Sequence, residues 1–236
     1  MSFKEKLYSE VKTLGIELDY TALDRFYTYY KMLIDYNTRM NLTAITDEDE
    51  VIVKHFCDSL SLLAKCQVKQ GAKVIDVGTG AGFPGIPLLI ARPDIKLTLL
   101  DGLNKRLVFL SDVLAELGLQ AEIVHSRAEE GAQDRNYREK FDVATSRAVA
   151  RLCVLAEYCL PYVKKGGEFI AMKGPAAGEE IEEASNALKL LGGTISQVQE
   201  YTLSDDSNRT LITVAKTAHT PPKYPRHNSK IKKQPL

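Results

Sequence analysis

The chain has 236 residues, 44% of them hydrophobic and 26% charged, and its formal net charge is +0. This suits one large globular domain, or one domain with a small extension, whose core needs no disulfide staples. No apolar run is long enough to span a membrane, residues 1–10 are too polar for a signal peptide, and Cys57, Cys66, Cys153 and Cys159 show neither a CxxC pair nor a metal-ligand spacing, which predicts reduced core thiols, no bound metal and a cytoplasmic location.

The first seventy residues read as helical. Leu23, Phe26, Tyr27, Tyr30, Leu33 and Ile34 recur at helical spacing and form one apolar stripe. Asp47 can cap a further helix from Glu48 to about Lys65. From Ala72 the pattern turns to alternating strands and helices. Strands are expected at Lys73–Val77, Lys96–Leu100, Ala121–Val124, Phe141–Thr145 and Glu168–Met172. Helices are expected at Pro84–Ile90, Lys105–Leu117, near Ala128, at Ala148–Leu160 and at Glu179–Leu191. That rhythm implies a parallel sheet wrapped by helices.

Ile195–Leu203 and Thr210–Lys216 are joined by Ser204–Arg209, which leaves no room for a helix. They predict a hairpin and an antiparallel edge. Five parallel strands closed by a hairpin make the seven-stranded, Rossmann-like sheet of class I S-adenosylmethionine-dependent methyltransferases. A plain dinucleotide-binding domain ends on another parallel strand. The expected organisation is an N-terminal helical extension (1–70), a methyltransferase core (71–217) and a basic tail (218–236). From Arg209 onward there is no Asp or Glu, while Lys216, Lys223, Arg226, Lys230, Lys232 and Lys233 accumulate. With its prolines, the tail reads as extended and mobile, and its charge can hold phosphate.

The main chemical signal is Val74-Ile75-Asp76-Val77-Gly78-Thr79-Gly80-Ala81-Gly82-Phe83-Pro84-Gly85. A strand ends at Val77, glycines let the backbone turn and approach a ligand, and a helix comes next. A dinucleotide wants G-x-G-x-x-G, but Gly82 is the third glycine and Phe83 stands in the dinucleotide position. The D-x-G-x-G-x-G form suits S-adenosylmethionine, which has no phosphate. Asp101, ending the second strand, can grip ribose hydroxyls or cap the next helix. Glu129 comes after the third strand, where adenine contacts often lie, and Arg147 after the fourth, at the mouth facing a methyl acceptor.

Two base-methylation chemistries are missing. After the fourth strand stands Thr145-Ser146-Arg147-Ala148 rather than the [DNS]-P-P-[YFW] loop of adenine amino methylation. No Pro-Cys supplies the nucleophile of cytosine C5 methylation. What remains is a target with its own lone pair, such as guanine N7, for which alignment suffices and no general base is needed.

Asn41-Leu42-Thr43, KHFCDSL around His55 and Asp58, IDVGTGAGFPGIPL, LLDGLNKRLVFL, HSRAEE, SRAVA, AMKG and the C-terminal YPR together resemble the RsmG family, also called glucose-inhibited division protein B, over almost the whole chain. The resemblance implies S-adenosylmethionine-dependent methylation of guanine N7 in the 530-loop region of 16S ribosomal RNA. The substrate is then 16S rRNA or a small-subunit precursor, and the protein a monomer. It adds Phe83 and Ala128 to a cofactor site of Gly78, Gly80, Gly82, Asp101, Glu129 and Arg147. Asn41, His55, Asp58 and Lys173, with Arg147, are expected at the substrate mouth, Lys173 as a cation for RNA phosphate. His55 and Asp58, one helical turn apart, could equally be a structural pair or two metal ligands. The alternatives are a small-molecule methyltransferase and a non-catalytic RNA- or dinucleotide-binding protein.

Overall fold

A computed structural model describes residues 1–147, 150–175 and 177–236. Ser2 and Glu5 open α1 (Phe3–Thr13) with a reciprocal capping box. Asp19 starts α2 (Tyr20–Met40) by accepting from the Ala22 amide. The buried face of α2 is Ala22, Leu23, Phe26, Tyr29 and Leu33. Tyr27, Tyr30 and Ile34, expected on the stripe, are only partly buried, because the face centres on Tyr29 rather than Tyr30.

Asp47 caps the next helical segment through the Glu50 amide, as expected. The segment is not uniform: α3 (Glu48–Val51) opens into a π-helical stretch, Ile52–Cys57, before α4 (Asp58–Lys65). A π stretch changes the angular position of the next turn relative to a continuous α-helix, and often marks a functional position. This one buries His55 together with Ile52, Phe56 and Cys57.

The alternating part contains β1 (Lys73–Val77), α5 (Gly85–Ala91), β2 (Lys96–Asp101), α6 (Asn104–Glu116), β3 (Glu122–His125), α7 (Ala128–Gly131) and β4 (Phe141–Arg147). It continues through α8 (Leu152–Cys159), β5 (Val163–Lys173), α9 (Ala177–Leu191), β6 (Gly193–Thr202) and β7 (Asn208–Lys216). The sheet order is β3-β2-β1-β4-β5-β7-β6. β1 to β5 run parallel, and β7 is antiparallel to both β5 and β6, so the terminal hairpin inserts its second strand next to the parallel set. Ala148 and Val149, at the expected start of the helix after β4, lie outside the described residues. The helix itself starts at Leu152, whose amide is capped by the Glu180 carboxylate.

The strand order reverses between β1 and β4, and ligands of open α/β sheets bind beyond the carboxyl ends of the strands at such a point. One sheet face packs α5 and α6 together with the N-terminal helices in a single core. The other packs α8, α9 and the C-terminal segment.

That C-terminal segment corrects the expectation of an extended, mobile tail. The Arg138 guanidinium donates to the carbonyls of Thr220, Pro221 and Tyr224. Arg226 forms a bidentate pair with Glu157, whose side chain is fully buried. A short helix, α10 (Asn228–Lys233), then buries Ile231 completely. Prolines exclude a strand or long helix here, but distant partners on α8 and in the loop after α7 still order the backbone.

Candidate cofactor cleft and substrate mouth

The glycine loop is a tight return over the ends of β1 and β2. Gly78 and Thr79 donate to the Leu100 carbonyl, Gly80 to Asp101 and Gly85 to Asp76. Gly82 and Phe83 donate to the Thr79 carbonyl. Ala81 alone in this loop has an amide without a partner among the described residues. A pyrophosphate needs several free N–H groups at the helix start, and here they are already engaged. The dinucleotide alternative therefore lacks its nest of donors.

The three site glycines do different things. Gly78 and Gly80 have φ of 73° and 62°, and around a Cβ built on Gly80 the space is open apart from the Gly78 carbonyl at 4.0 Å. Gly82, expected to face the cofactor, is buried, with φ 102°, and a Cβ there meets Tyr29 Oη at 2.6 Å and Ile86 and Leu110 methyls at 2.9 Å. Its role is to let the loop lie against α2 and α6. Phe83 is likewise turned from the cleft: its ring stacks on Tyr29 at 5.4 Å and on His55 at 4.5 Å.

Gly78, Asp101, Ala128 and Glu129 do converge, lining a cleft of about 260 Å3 with Val77, Ser146 and Tyr158. A larger cavity, about 700 Å3, lies at the amino-terminal edge of the sheet around Lys73, Lys96 and Lys140. The smaller cleft sits at the topological switch point and is the candidate site. Asp101 is both ligand candidate and cap: it accepts from Gly80, from Leu103 at 2.8 Å and from Arg106 at 3.3 Å. A carboxylate has about four acceptor positions, so one remains for a hydroxyl. The Glu129 carboxylate has no hydrogen-bond partner among the described residues although the residue is buried.

Beneath the loop, one oxygen of Asp76 accepts from Thr79 Oγ1 at 2.6 Å and Gly85 N at 2.9 Å, while its other oxygen is buried without a partner. Burial pushes its carboxyl up to about 6, against the two hydrogen bonds. Asp76, missed as a site residue, was legible as the acid of the D-x-G-x-G pattern. Two carboxylates at the cleft and a loop whose donors are taken fit a ligand carrying positive charge and hydroxyls. S-adenosylmethionine, with its sulfonium, amine and ribose, is such a ligand. Asp101 and Glu129 would hold its nucleoside and the loop backbone its remaining part.

Arg147, at the end of β4, turns toward the N-terminal helices. Its Nη1 donates to the Lys54 carbonyl at 3.0 Å and to Asp58 at 3.1 Å, and its Nη2 to His55 Nδ1 at 3.2 Å. The guanidinium also lies over the Phe83 ring at 4.9 Å. Since Nδ1 of His55 accepts from a cation, the ring proton resides on Nε2 and is donated to Thr43 Oγ1. Burial, then the neighbouring Arg147, drives the His55 pKa down to about 3. The imidazole is neutral with both nitrogens occupied. Asp58 further accepts from Tyr201 Oη at 3.0 Å and pairs with Arg209 at 3.5 Å. His55 and Asp58 therefore form the structural pair, centred on Arg147, and no group of three potential metal ligands occurs among the described residues. Tyr201 and Arg209 come from the hairpin, and nothing in sequence spacing links them to residue 58.

Two expected members stand apart. Lys173 donates to the Ala150 carbonyl at 2.7 Å and pairs with Glu180 at 2.9 Å, its side chain only 10% exposed. Its charge is neutralised internally rather than offered to phosphate. Asn41 is exposed and ends α2 in the left-handed conformation, φ 48°. That turn lets Thr43 reach His55.

The family model described as rRNA small subunit methyltransferase G matches residues 22–211. The chain is 51% identical over 228 residues to the ribosomal RNA small subunit methyltransferase G of Lachnoclostridium phytofermentans, covering 96% of this chain and 94% of that one. It is 46% identical over 238 residues to the protein of that name from Clostridium beijerinckii, covering 100% of both. Among solved structures, a methyltransferase from Bacillus halodurans superposes with a TM-score of 0.55 at 14% identity, over 68% of this chain and 99% of that one. A SAM-dependent O-methyltransferase from Thermotoga maritima superposes with a TM-score of 0.52 at 17% identity, over 80% and 72%. At these identities the structures establish the fold, that of class I methyltransferases.

Proposed function

The chain belongs to the rRNA small subunit methyltransferase G family, and from that premise we propose that it transfers the methyl group of S-adenosylmethionine to N7 of a guanine in the 530-loop region of 16S rRNA. It acts as a monomer in the cytoplasm on the small subunit or its precursor. No helix among the described residues is long and apolar enough to cross a membrane.

The observation that carries the choice of target atom is that, among the described residues, no side chain in contact with Arg147 is a free base. His55 is neutral with both nitrogens engaged. Burial raises the thiols of Cys57 and Cys159, so neither serves as a nucleophile. When bound, the cofactor supplies an electrophilic methyl group on a positively charged sulfur, and guanine N7 has a lone pair to accept it without losing a proton. The chain's part is alignment and charge. The glycine loop, Asp101 and Glu129 hold the cofactor, and the Arg147 cluster, locked to Asp58 and His55, gives the mouth a rigid wall. The carboxylates of Asp76 and Asp101 would favour a positively charged cofactor, while that of Asp58 is spent on Arg147 and Arg209 and fixes the wall.

The test is incubation with methyl-labelled S-adenosylmethionine and small subunits or 16S rRNA, then cleavage at N7-methylguanine. Label at one guanine of the 530-loop region is expected. Label on another base, or at another ring atom, overturns the assignment.

A further inference from the structure

The cofactor cleft has a wall that the glycine loop and strand ends do not supply. Asn228 and Lys232, both on α10, line it together with Asp101 and Glu129. The same face of α10, with His227 and Ser229, borders an adjoining hollow against Arg127 and Glu130. This wall lies beyond residue 211, where the match to the family model ends.

The wall is firmly docked. The Arg226 amide and guanidinium both bind the buried Glu157 carboxylate, at 2.8 Å from the amide and 2.6 Å from Nη2. Gln133 donates to the Pro225 carbonyl at 3.0 Å, and Ile231 is wholly buried. Tyr158 Oη, itself on the cleft, donates to Asn228 Oδ1 at 2.8 Å. That bond fixes the amide with its nitrogen, which carries two hydrogens, unpartnered among the described residues. Lys232 makes no ion pair with a described residue. Cleft-facing donors without protein partners suit the ring nitrogens and hydroxyls of a nucleoside. The β3 side of the cleft, where an acid after the second strand faces ribose, is where they stand.

We propose that the C-terminal segment is part of the cofactor site, with Asn228 and Lys232 as binding residues for the nucleoside end of S-adenosylmethionine. The inference rests on the assignment of that cleft to the cofactor. Docking of residues 224–233 and capture of the cofactor are then thermodynamically coupled: each favours the other.

The experiment uses the full-length chain with Asn228→Ala, Lys232→Gln and the double substitution. Binding of S-adenosylmethionine, and of methylthioadenosine, which lacks the amino-acid end, is measured by calorimetry. Hydrogen exchange of residues 226–233 is measured with and without cofactor. The double variant is expected to bind both ligands about tenfold more weakly, the melting temperature of Lys232→Gln is expected to be unchanged without ligand, and cofactor is expected to slow exchange of the wild-type tail. Affinities within twofold of wild type overturn the inference, as does weakening confined to S-adenosylmethionine, which places the tail at the amino-acid end. If the wild-type protein itself binds no S-adenosylmethionine, the cofactor assignment and the inference fall together. Normal wild-type binding with unaffected variants removes the inference alone.

Discussion

Arg147 Nη1 lies 3.1 Å from Asp58 Oδ2, an ion pair 14% and 6% exposed that joins the end of a central strand to the N-terminal helices. Through Tyr201 and Arg209 the same carboxylate also holds the terminal hairpin. Three remote parts of the chain meet at one carboxylate beside the cofactor loop.

Removing one member of a buried pair leaves the other without compensation. Asp58→Asn is therefore expected to destabilise the protein by about 3 kcal/mol. Arg147→Lys keeps the charge but loses the fork that reaches Asp58, Lys54 and His55 at once. It should lower methyl transfer more than it lowers cofactor affinity. Urea denaturation midpoints, single-turnover rates and calorimetric Kd values check these outcomes.

The lowered pKa of His55 ties stability to pH. The folded value, about 3, is below the ordinary 6.5. Its contribution is fully present above pH 6.5 and is lost as pH falls from there toward 3, because the unfolded chain then binds the proton first. The loss from this group is on the order of 2–4 kcal/mol. Denaturation curves between about pH 7 and about pH 4 should show a steeper decline for the wild type than for His55→Gln. Equal slopes would remove His55 as the cause.

The glycines of the loop should separate by function. Gly82→Ala places a methyl against Tyr29 and Leu110 at a φ of 102°. It should cost about 3 kcal/mol of stability through strain and overpacking together. Gly80→Ala meets open space and strains only φ, at about 1 kcal/mol. Gly80→Val, a β-branched residue at positive φ whose amide donates to Asp101, should abolish cofactor binding in a folded protein. Thermal melts and S-adenosylmethionine titrations distinguish the three variants.

Glu129 has no protein partner to lose among the described residues. Glu129→Ala should leave the melting temperature nearly unchanged, since the carboxylate lines the cleft and makes no hydrogen bond to a described residue. Affinity for S-adenosylmethionine should fall about tenfold. A large loss of stability with unchanged affinity would show that the carboxylate serves the fold.

Strand and helix identity was legible because local apolar spacing reports which face is buried. Lys73–Val77 and the hairpin after Gly193 were readable in this way, and so was the Asp47 cap. Gly78, Asp101 and Glu129 could be placed at one cleft because the alternating pattern puts strand ends together, whereas Ala128 came only from the family resemblance. Periodicity carries no mark for the π stretch at Ile52–Cys57, which packs against α1. The same limit hid the docked tail, whose prolines alone point to mobility.

What the sequence determined by itself was the alternating fold, the class of ligand at the glycine loop and the family, since each is written in residues close along the chain. Tertiary structure alone decided that Gly82 and Phe83 face α2, that Lys173 is neutralised by Glu180, and that Asp58 meets Arg147, Tyr201 and Arg209. Charges and hydrogen-bond donors are satisfied by whatever lies within about 3 Å in space. For these residues that partner is remote in the chain, so no local pattern could name it.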